Sequence, residues 1–443
     1  MLTAEQNDML TRVGEVRPAG DLLLRYWQPA ALVEELEGER PIRNVRLFGE
    51  ELVLFRDDQG NYGLMDRHCP HRGADLCFGR LEDGGLRCPF HGWLFGHDGQ
   101  CLEMPAEPPE SNFYKKIRNK AYPCVEKSGI IFTYMGPGDP PAFPDFDCFV
   151  APDDYTFAFK GLIECNWLQA VEVGIDPAHA SYLHRFFEDE DPDQSYGKQF
   201  RDSVGDSGVT ITKVLREYDR PEIKVDETDF GLRLTTLRDL PDQQRHVRIT
   251  NLVFPNAFAI PMSSEMMITQ WHVPVDDYNN YWYAIFTSFG GKVDKHAMRE
   301  QRLELYTLPD YVSRQNKSND YGYNPEEQRT QTYTGMGMDI NVHDQWAVES
   351  CGPIQDRTKE HLGTSDVAIT KYRRMLRQAM NNLPDGGNLP LSVNGDGSRF
   401  TGPVAVDAIA PASEWEKSWL EWDRIRRARS SWASKTSRDQ SQA

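Results

Sequence analysis

The stretch CPHRGADLCFGRLEDGGLRCPFHGW, residues 69–93, constrains this chain more than any other part of it. Cys69-x-His71 stands at its start and Cys88-x-x-His91 near its end, with a glycine-rich segment between. Thiolate and imidazole are both metal ligands, so two such couples predict a metal site reached by two loops from opposite sides. Gly73, Gly79, Gly84, Gly85 and Gly92 permit the tight turns such loops need. A structural zinc site is the plain alternative. Zinc fingers, however, usually pair Cys with Cys on one arm and His with His on the other, whereas each arm here carries one of each.

A chain of 443 residues exceeds the size at which single cores stop growing, so two domains are expected. Lys and Arg total 49 against 68 Asp and Glu, and the net charge of −19 argues against nucleic acid or anionic membrane as partners. No apolar run approaches the length of about 18 residues needed for a membrane span, and the polar start MLTAEQNDMLTRVGEVRP lacks a secretory apolar core. A cytoplasmic protein is expected. The eight cysteines are too sparse for a secreted disulfide scaffold and are expected to be reduced, some of them as metal ligands.

From residue 41, β-branched and aromatic runs separated by turn residues, as in NVRLFGEELVLFRDDQGNYGLMD, predict small antiparallel β structure that continues through GIIFTYMG. The proline-rich GPGDPPAFPDFD then places a linker at 136–150. Beyond it TFAFKGLIECNW, GLRLTTLRDL, RHVRITNLVFPNAFAIPM and NYWYAIFTSF read as strands of an extended sheet. Residues 165–187, 293–306 and TSDVAITKYRRMLRQAMNNL, the last closing near PDGG, read as helices. SEWEKSWLEWDRIRRARSSW reads as a terminal helix docked on the body that frays into ASKTSRDQSQA. The expected class is α+β, divided into an N-terminal helical segment (1–40) packing on the last domain, a metal-binding all-β domain (41–150), and an α+β domain with C-terminal helices (151–443).

One Cys and one His per loop suit a two-iron, two-sulfide cluster of the Rieske type, in which two Cys hold one iron and two His the other. A cluster that only relays electrons needs a destination. Residues 172–187, EVGIDPAHASYLHRFF, offer Asp176-x-x-His179-x4-His184. Two neutral imidazoles and a carboxylate make the facial triad of mononuclear non-heme iron oxygenases, with positions left open for dioxygen and substrate. On an ideal helix His179 and His184 point roughly 140° apart, so a bulge or a helix end must bring them together. Asp176-Pro177 favours a helix start. A pure electron carrier would end near residue 150 and leave these residues unexplained.

CPHRG followed by CPFHGW resembles the Rieske domain of ring-hydroxylating oxygenase α subunits; ESCGPIQDRTKEHLGTSD and MLTAEQNDMLTRVG resemble the phthalate-dioxygenase-like branch, and the resemblance spans nearly the whole chain. It implies a Rieske domain followed by a helix-grip (START/Bet v1-like) antiparallel-sheet catalytic domain. The implied cofactors are a [2Fe-2S] cluster on Cys69, His71, Cys88 and His91, and Fe(II) on His179, His184 and Asp344, with Asp339 as the reserve. Family members carry an Asp followed five residues later by Glu, which matches Asp344 and Glu349. Respiratory Rieske proteins carry an extra, disulfide-forming cysteine in each loop; Ala74 and Phe90 stand there in this chain, which implies a low-potential cluster. Asp176 resembles the carboxylate that bridges a Rieske histidine of one subunit to an iron-ligating histidine of the next in a head-to-tail trimer, and a homotrimer or stacked-trimer hexamer is implied. His68 and His343 read as neighbours of the ligands or surface residues. Glu172 reads either as a polar group near the iron or as a solvated helix residue.

The implied activity is oxidation of a small aromatic carboxylate by O2, through ring cis-dihydroxylation or, alternatively, oxidative O-demethylation of a methoxylated aromatic acid. Electrons would cross from cluster to iron through Asp176. No G-x-G-x-x-G follows a strand and no plant-type ferredoxin cysteine spacing is present, so NADH would act only through a separate flavin/iron–sulfur reductase. An anionic substrate in an acidic chain needs a local cation. In RHVRITNLV, His246, Arg248 and Thr250 alternate against Val247 and Ile249, which makes Arg248 the candidate substrate-binding residue; a solvent-facing or salt-bridged arginine is the alternative, and Arg245 is a weaker candidate.

Overall fold

The computed structural model describes residues 1–433 apart from 15, 190–203, 205–206, 384–388 and 392–401. The helix stop expected at PDGG and the fraying tail ASKTSRDQSQA, except for its Ala433, lie outside the described residues.

Short strands separated by tight turns build the first third. Ile42–Leu47, Glu50–Arg56 and Tyr62–Asp66 pair in an antiparallel meander that Ala121–Tyr122 completes. A second four-stranded sheet runs Arg80–Glu82, Gly85–Arg87, Leu94–Gly96 and Cys101–Glu103. The Cys69 loop leads into it, and the Cys88 loop joins its second and third strands. Glu50–Arg56 carries four consecutive buried apolar residues because both of its faces are covered. Val53 and Phe55 join a core with Met65, Leu86, Phe95, Cys69 and Cys88, whereas Leu52 and Leu54 join the main core with Phe132 and Trp271.

The first 40 residues are not wholly helical. Ala4–Thr11 and Pro18–Leu23 are helices, but Gln28–Leu32 is a strand that pairs with Ile130–Thr133. Asn166 and Trp167, from the second half of the fold, both donate to the carbonyl of Thr11, at 2.9 and 3.2 Å, and tie this segment down. The proline-rich 136–150 stretch holds no strand, though its end, Asp147–Val150, forms a helical turn whose Asp147 pairs with Arg427 at 2.5 Å.

A ten-stranded sheet carries the second half. Its order is Glu222–Thr228, Gly231–Asp239, Gln244–Val253, Ala257–Pro261, Met266–Pro274, Asn280–Ser288, Thr156–Ile163, Val312–Ser313 and Tyr306–Thr307, with Val406–Pro411 added beside Gln244–Val253. Pairing is antiparallel except between Thr156–Ile163 and Val312–Ser313. Helix Trp167–Gly174 lies against Met266–Pro274, helix Val367–Asn382 against Gly231–Asp239, and helix Trp415–Arg429 against Val406–Pro411. This is the α+β architecture expected.

The helix expected over 165–187 stops at Gly174, and after it only a 3-10 turn, His179–Ser181, follows. Pro177 disfavours helical backbone at Asp176 and has no N–H to offer a preceding turn. Gly174 itself is required by packing, since a Cβ there would lie 2.1 Å from Phe258. Glu172, on this helix, is not the solvated residue that one reading allowed. It is buried and meets Arg357 at 2.7 Å and Arg373 at 2.6 Å, and Arg373 also engages Glu360. Burial pushes the Glu172 carboxyl up, but the two guanidinium groups outweigh it and hold the group ionised. Glu172→Ala leaves two buried cations short of a partner and is expected to cost about 3–5 kcal/mol. Urea denaturation of variant and wild type measures this, and a loss under about 1 kcal/mol would contradict the buried-pair account.

Candidate active site and metal centres

Two loops of matching backbone geometry bring the Cys-His couples together. Gly73 N–H donates to the Cys69 carbonyl at 2.8 Å and Gly92 N–H to the Cys88 carbonyl at 3.0 Å. Both glycines take φ of 75°, left-handed backbone that a side chain would strain, and a Cβ on Gly92 would also lie 2.7 Å from Pro105 Cγ. Cys69 and Cys88 are both buried in one core cluster, while the His71 and His91 ring centroids stand 4.4 Å apart and His71 stacks on Trp93 at 4.3 Å. Burial pushes the Cys69 thiol up to about 11; the His71 backbone N–H opposes the shift and the neighbouring Cys88 adds to it. Paired thiols of this kind become thiolates when a cation sits between them, and two sulfurs with two imidazoles fit a [2Fe-2S] cluster. His68 is exposed beside Asp66 and takes no part.

A second centre forms where the Trp167–Gly174 helix ends against helix Ile340–Glu349. His179 Nε2 lies 3.1 Å from His184 Nε2 and 3.7 Å from Asp344 Oδ1, and His184 Nε2 lies 3.3 Å from the same oxygen. Donors on one face of a single ion, each bound at about 2.1 Å, stand about 3 Å apart or slightly more. His179 Nδ1 donates to the Asp176 carbonyl, which can only accept, so the tautomer turns the Nε2 lone pair to the centre. Asp344 Oδ1 is buried with no hydrogen-bond donor, a costly state that a cation would relieve. Burial and His184 push His179 down, while on Asp344 the upward push of burial is outweighed by the histidines. Neutral imidazole and carboxylate are the forms a metal needs.

Buried polar side chains hold these two helices together. Gln169 Nε2 donates to the carbonyls of Val348 at 2.7 Å and Gly352 at 2.8 Å, and Glu349 accepts from Glu164 N–H and the Tyr321 hydroxyl, each at 2.8 Å. Asp339 is employed elsewhere: it caps helix Ile340–Glu349, accepting from Asn341 N–H at 2.7 Å, and pairs with Arg302 at 3.3 Å. His343 is not a surface residue; it is buried, donates from Nε2 to the Gly337 carbonyl at 2.9 Å, and its ring lies 5.8 Å from that of His184. Asp176 Oδ1 accepts from Ala178 N–H at 2.9 Å, and its Oδ2 stands 4.0 Å from His179 Nδ1.

A cavity of about 150 Å³ adjoins the three donors, walled by apolar side chains such as Val173, Phe258, Ile268 and Trp282. Arg248 lines it, but not as a free cation: Nη1 meets Asp407 Oδ2 at 2.5 Å and Nη2 donates to the Pro261 carbonyl at 3.0 Å. Asp407 also meets His246 Nε2 at 2.9 Å, and burial pushes His246 down, keeping it neutral. Buried Arg238, opposite His246 on the neighbouring strand, has two guanidinium nitrogens without partners. Arg238 does not line this cavity but a separate cleft, together with Asp219, Glu222 and Asp239. Arg245 turns outward to Asp239 at 2.6 Å. Gln270 and His272, also lining the cavity, gave no sequence signal beyond strand alternation in MITQWHV.

No helix among the described residues is long and apolar enough to cross a membrane. The Rieske [2Fe-2S] domain family matches residues 26–123 and the LigXa C-terminal domain like family residues 133–394. The phthalate 4,5-dioxygenase oxygenase subunit of Pseudomonas putida is 35% identical over 401 residues that cover 86% of each chain. The 5,5'-dehydrodivanillate O-demethylase oxygenase subunit of a Sphingobium species is 31% identical, covering 87% of this chain and 82% of its own. Among solved structures, the Pseudomonas putida CBB5 NdmA QL mutant with theobromine shares the fold, with a TM-score of 0.55 at 18% identity over 83% of this chain and 94% of that one. Matched along both halves and carrying donor sets that fit both metal groups, this chain belongs to the Rieske non-heme iron oxygenases, as an oxygenase subunit with a [2Fe-2S] cluster and a mononuclear iron.

Proposed function

We propose that this chain is the oxygenase component of a cytoplasmic multicomponent system that takes electrons from a separate flavin/iron–sulfur reductase and uses O2 to cis-dihydroxylate an aromatic carboxylate of the phthalate or benzoate type. The observation that carries this is the cavity, which combines apolar walls, a volume that suits a benzene-sized ring, and the Arg248 guanidinium in its lining beside the three metal donors. Oxidative O-demethylation of a methoxylated aromatic acid is the second reading, favoured by the likeness to the dehydrodivanillate enzyme. Product analysis across phthalates, halobenzoates, methoxybenzoates and lignin-derived biphenyl acids decides between them; turnover of none of these would refute both.

In this reading residues 41–150 are the Rieske domain, residues 1–40 belong with the catalytic domain of 151–443, and Cys69, His71, Cys88 and His91 hold the cluster. His179, His184 and Asp344 hold Fe(II), which supplies the activation of dioxygen. The apolar walls exclude water, and Arg248 and its neighbours hold the substrate carboxylate. Asp176 fixes the His179 tautomer through its carbonyl and offers its carboxylate to a Rieske histidine of a second copy. A head-to-tail trimer, alone or stacked as a hexamer, is supported by two exposed apolar surfaces. Phe78, Phe90 and Phe113 protrude from the cluster-binding half, and Tyr182, Tyr323, Tyr333 and Leu362 are exposed around the cleft that Asp176 and His179 line.

Asp344→Ala is expected to lower iron from about three to about two per chain while the reduced-cluster electron paramagnetic resonance signal persists. Asp339→Ala is expected to keep all three while costing about 3–5 kcal/mol, since it removes the helix cap and also leaves buried Arg302 without this carboxylate. Iron analysis with spectroscopy checks both, and the opposite pattern would make Asp339 the ligand. Arg248→Ala is expected to raise KM roughly tenfold for carboxylated substrates and much less for uncharged analogues. Equal effects on both would remove Arg248 from carboxylate recognition. Asp176→Asn is expected to leave iron content and chemical reduction of the cluster intact while slowing turnover about 10–100-fold. Single-turnover kinetics at wild-type rate would exclude the bridging role.

A further inference from the structure

We infer that Gln270 reads the substrate, its side-chain carbonyl accepting a hydrogen bond from a hydroxyl on the aromatic ring, so that the preferred substrate class is a hydroxylated aromatic acid. This rests on the aromatic-acid reading above and narrows it. The inference comes from a chain of hydrogen bonds whose direction is set at one end. Asn280 Nδ2 donates to the Cys165 carbonyl at 2.8 Å. A backbone carbonyl can only accept, so the amide cannot be turned round, and Asn280 Oδ1 is the end that meets His272 Nδ1 at 2.9 Å. His272 therefore carries its proton on Nδ1. Burial pushes this histidine down to about 4, so the ring is neutral and Nε2 offers a lone pair.

That lone pair takes an N–H from Gln270, whose Nε2 lies 3.1 Å away. Flipping the Gln270 amide would set its oxygen against the lone pair. The free end of Gln270 is thus Oε1, an oriented acceptor on a residue that lines the cavity beside Phe258, Ile268 and Trp282. An ionised benzoate or phthalate offers only acceptors and would leave Oε1 unpaired in an apolar enclosure, a penalty that a phenolic hydroxyl removes. Arg248 and Gln270 divide the recognition, the first supplying donors to a carboxylate and the second an acceptor to a hydroxyl.

The test uses the iron-loaded full chain under anaerobic conditions, with tryptophan fluorescence reporting occupancy, since Trp282 lines the cavity. The 2-, 3- and 4-hydroxybenzoates are each compared with the methylbenzoate of the same substitution, a methyl being close in size to a hydroxyl but unable to donate. At least one hydroxybenzoate is expected to bind about 3- to 10-fold tighter than its methyl counterpart, and Gln270→Leu is expected to bring that ratio near one. Wild-type protein that binds no hydroxybenzoate more tightly than its counterpart overturns the inference without any variant being needed. A preference that survives in Gln270→Leu overturns it as well. Failure of all six acids to bind would refute the aromatic-acid reading and this inference with it, a result distinct from binding without discrimination.

Discussion

The catalytic geometry depends on the register between two helices. His179 and His184 follow the end of Trp167–Gly174, and Asp344 rides on Ile340–Glu349, so the donors converge only while these helices hold still. Gln169 sets the register by donating to the Val348 carbonyl of the second helix and to the Gly352 carbonyl just beyond its end, and Glu349 closes it from the other side by accepting the backbone N–H of Glu164. Both side chains are buried, so their bonds are shielded from competing water. A slip of one residue is a translation of about 1.5 Å. That is close to half of the 3.3 Å between His184 Nε2 and Asp344 Oδ1, enough to pull the carboxylate out of any common coordination sphere.

The cluster-binding half is fixed to the catalytic half with comparable stiffness. Strand Glu50–Arg56 contributes one face to each core, and the turn before it donates from Phe48 and Gly49 N–H to the carbonyls of Pro274 and Val275, at 2.9 and 2.8 Å. The two halves therefore share side chains and backbone hydrogen bonds rather than a hinge. Exposed aromatic residues, Phe78, Phe90 and Phe113, lie on the cluster-binding half, and Tyr182, Tyr323 and Tyr333 lie around the cleft beside Asp176 on the catalytic half.

What the sequence disclosed and what it hid divide along sequence separation. Cys69, His71, Cys88 and His91 were legible because ligands, prolines and the two left-handed glycines lie within one short stretch, and His179 and His184 because they sit five residues apart. The long strands were legible from their β-branched runs, whereas the need for glycine at 174 depends on Phe258, a neighbour supplied by the sheet. Neither reading of Glu172, as a polar group near the iron or as a solvated residue, foresaw its buried ion pairs, because its partners, Arg357 and Arg373, lie about two hundred residues downstream. Arg248 was placed on the correct face by strand alternation, but its pairing with Asp407 depends on a strand, Val406–Pro411, that arrives from near the C-terminus. Gln270 could not be singled out, since its role is set by the tautomer of His272 and thus by Asn280 and Cys165.

Charge balance in the interior separates scaffold from site. Glu172 and Glu360 face Arg357 and Arg373, and Asp147 and Asp423 face Arg426 and Arg427; in each of these groups the charges cancel. Two groups do not cancel. At the cavity Asp344 stands beside His179 and His184 with an unpartnered oxygen, and away from its lining buried Arg238 has two guanidinium nitrogens without partners while Arg248 takes Asp407. Uncompensated burial of either sign is unfavourable, and the first group is completed by a cation. The role of Asp407 follows from the same reasoning. It meets Arg248 Nη1 at 2.5 Å while Nη2 donates to the Pro261 carbonyl, so the ordering of a long side chain in the cavity wall is complete in the folded chain.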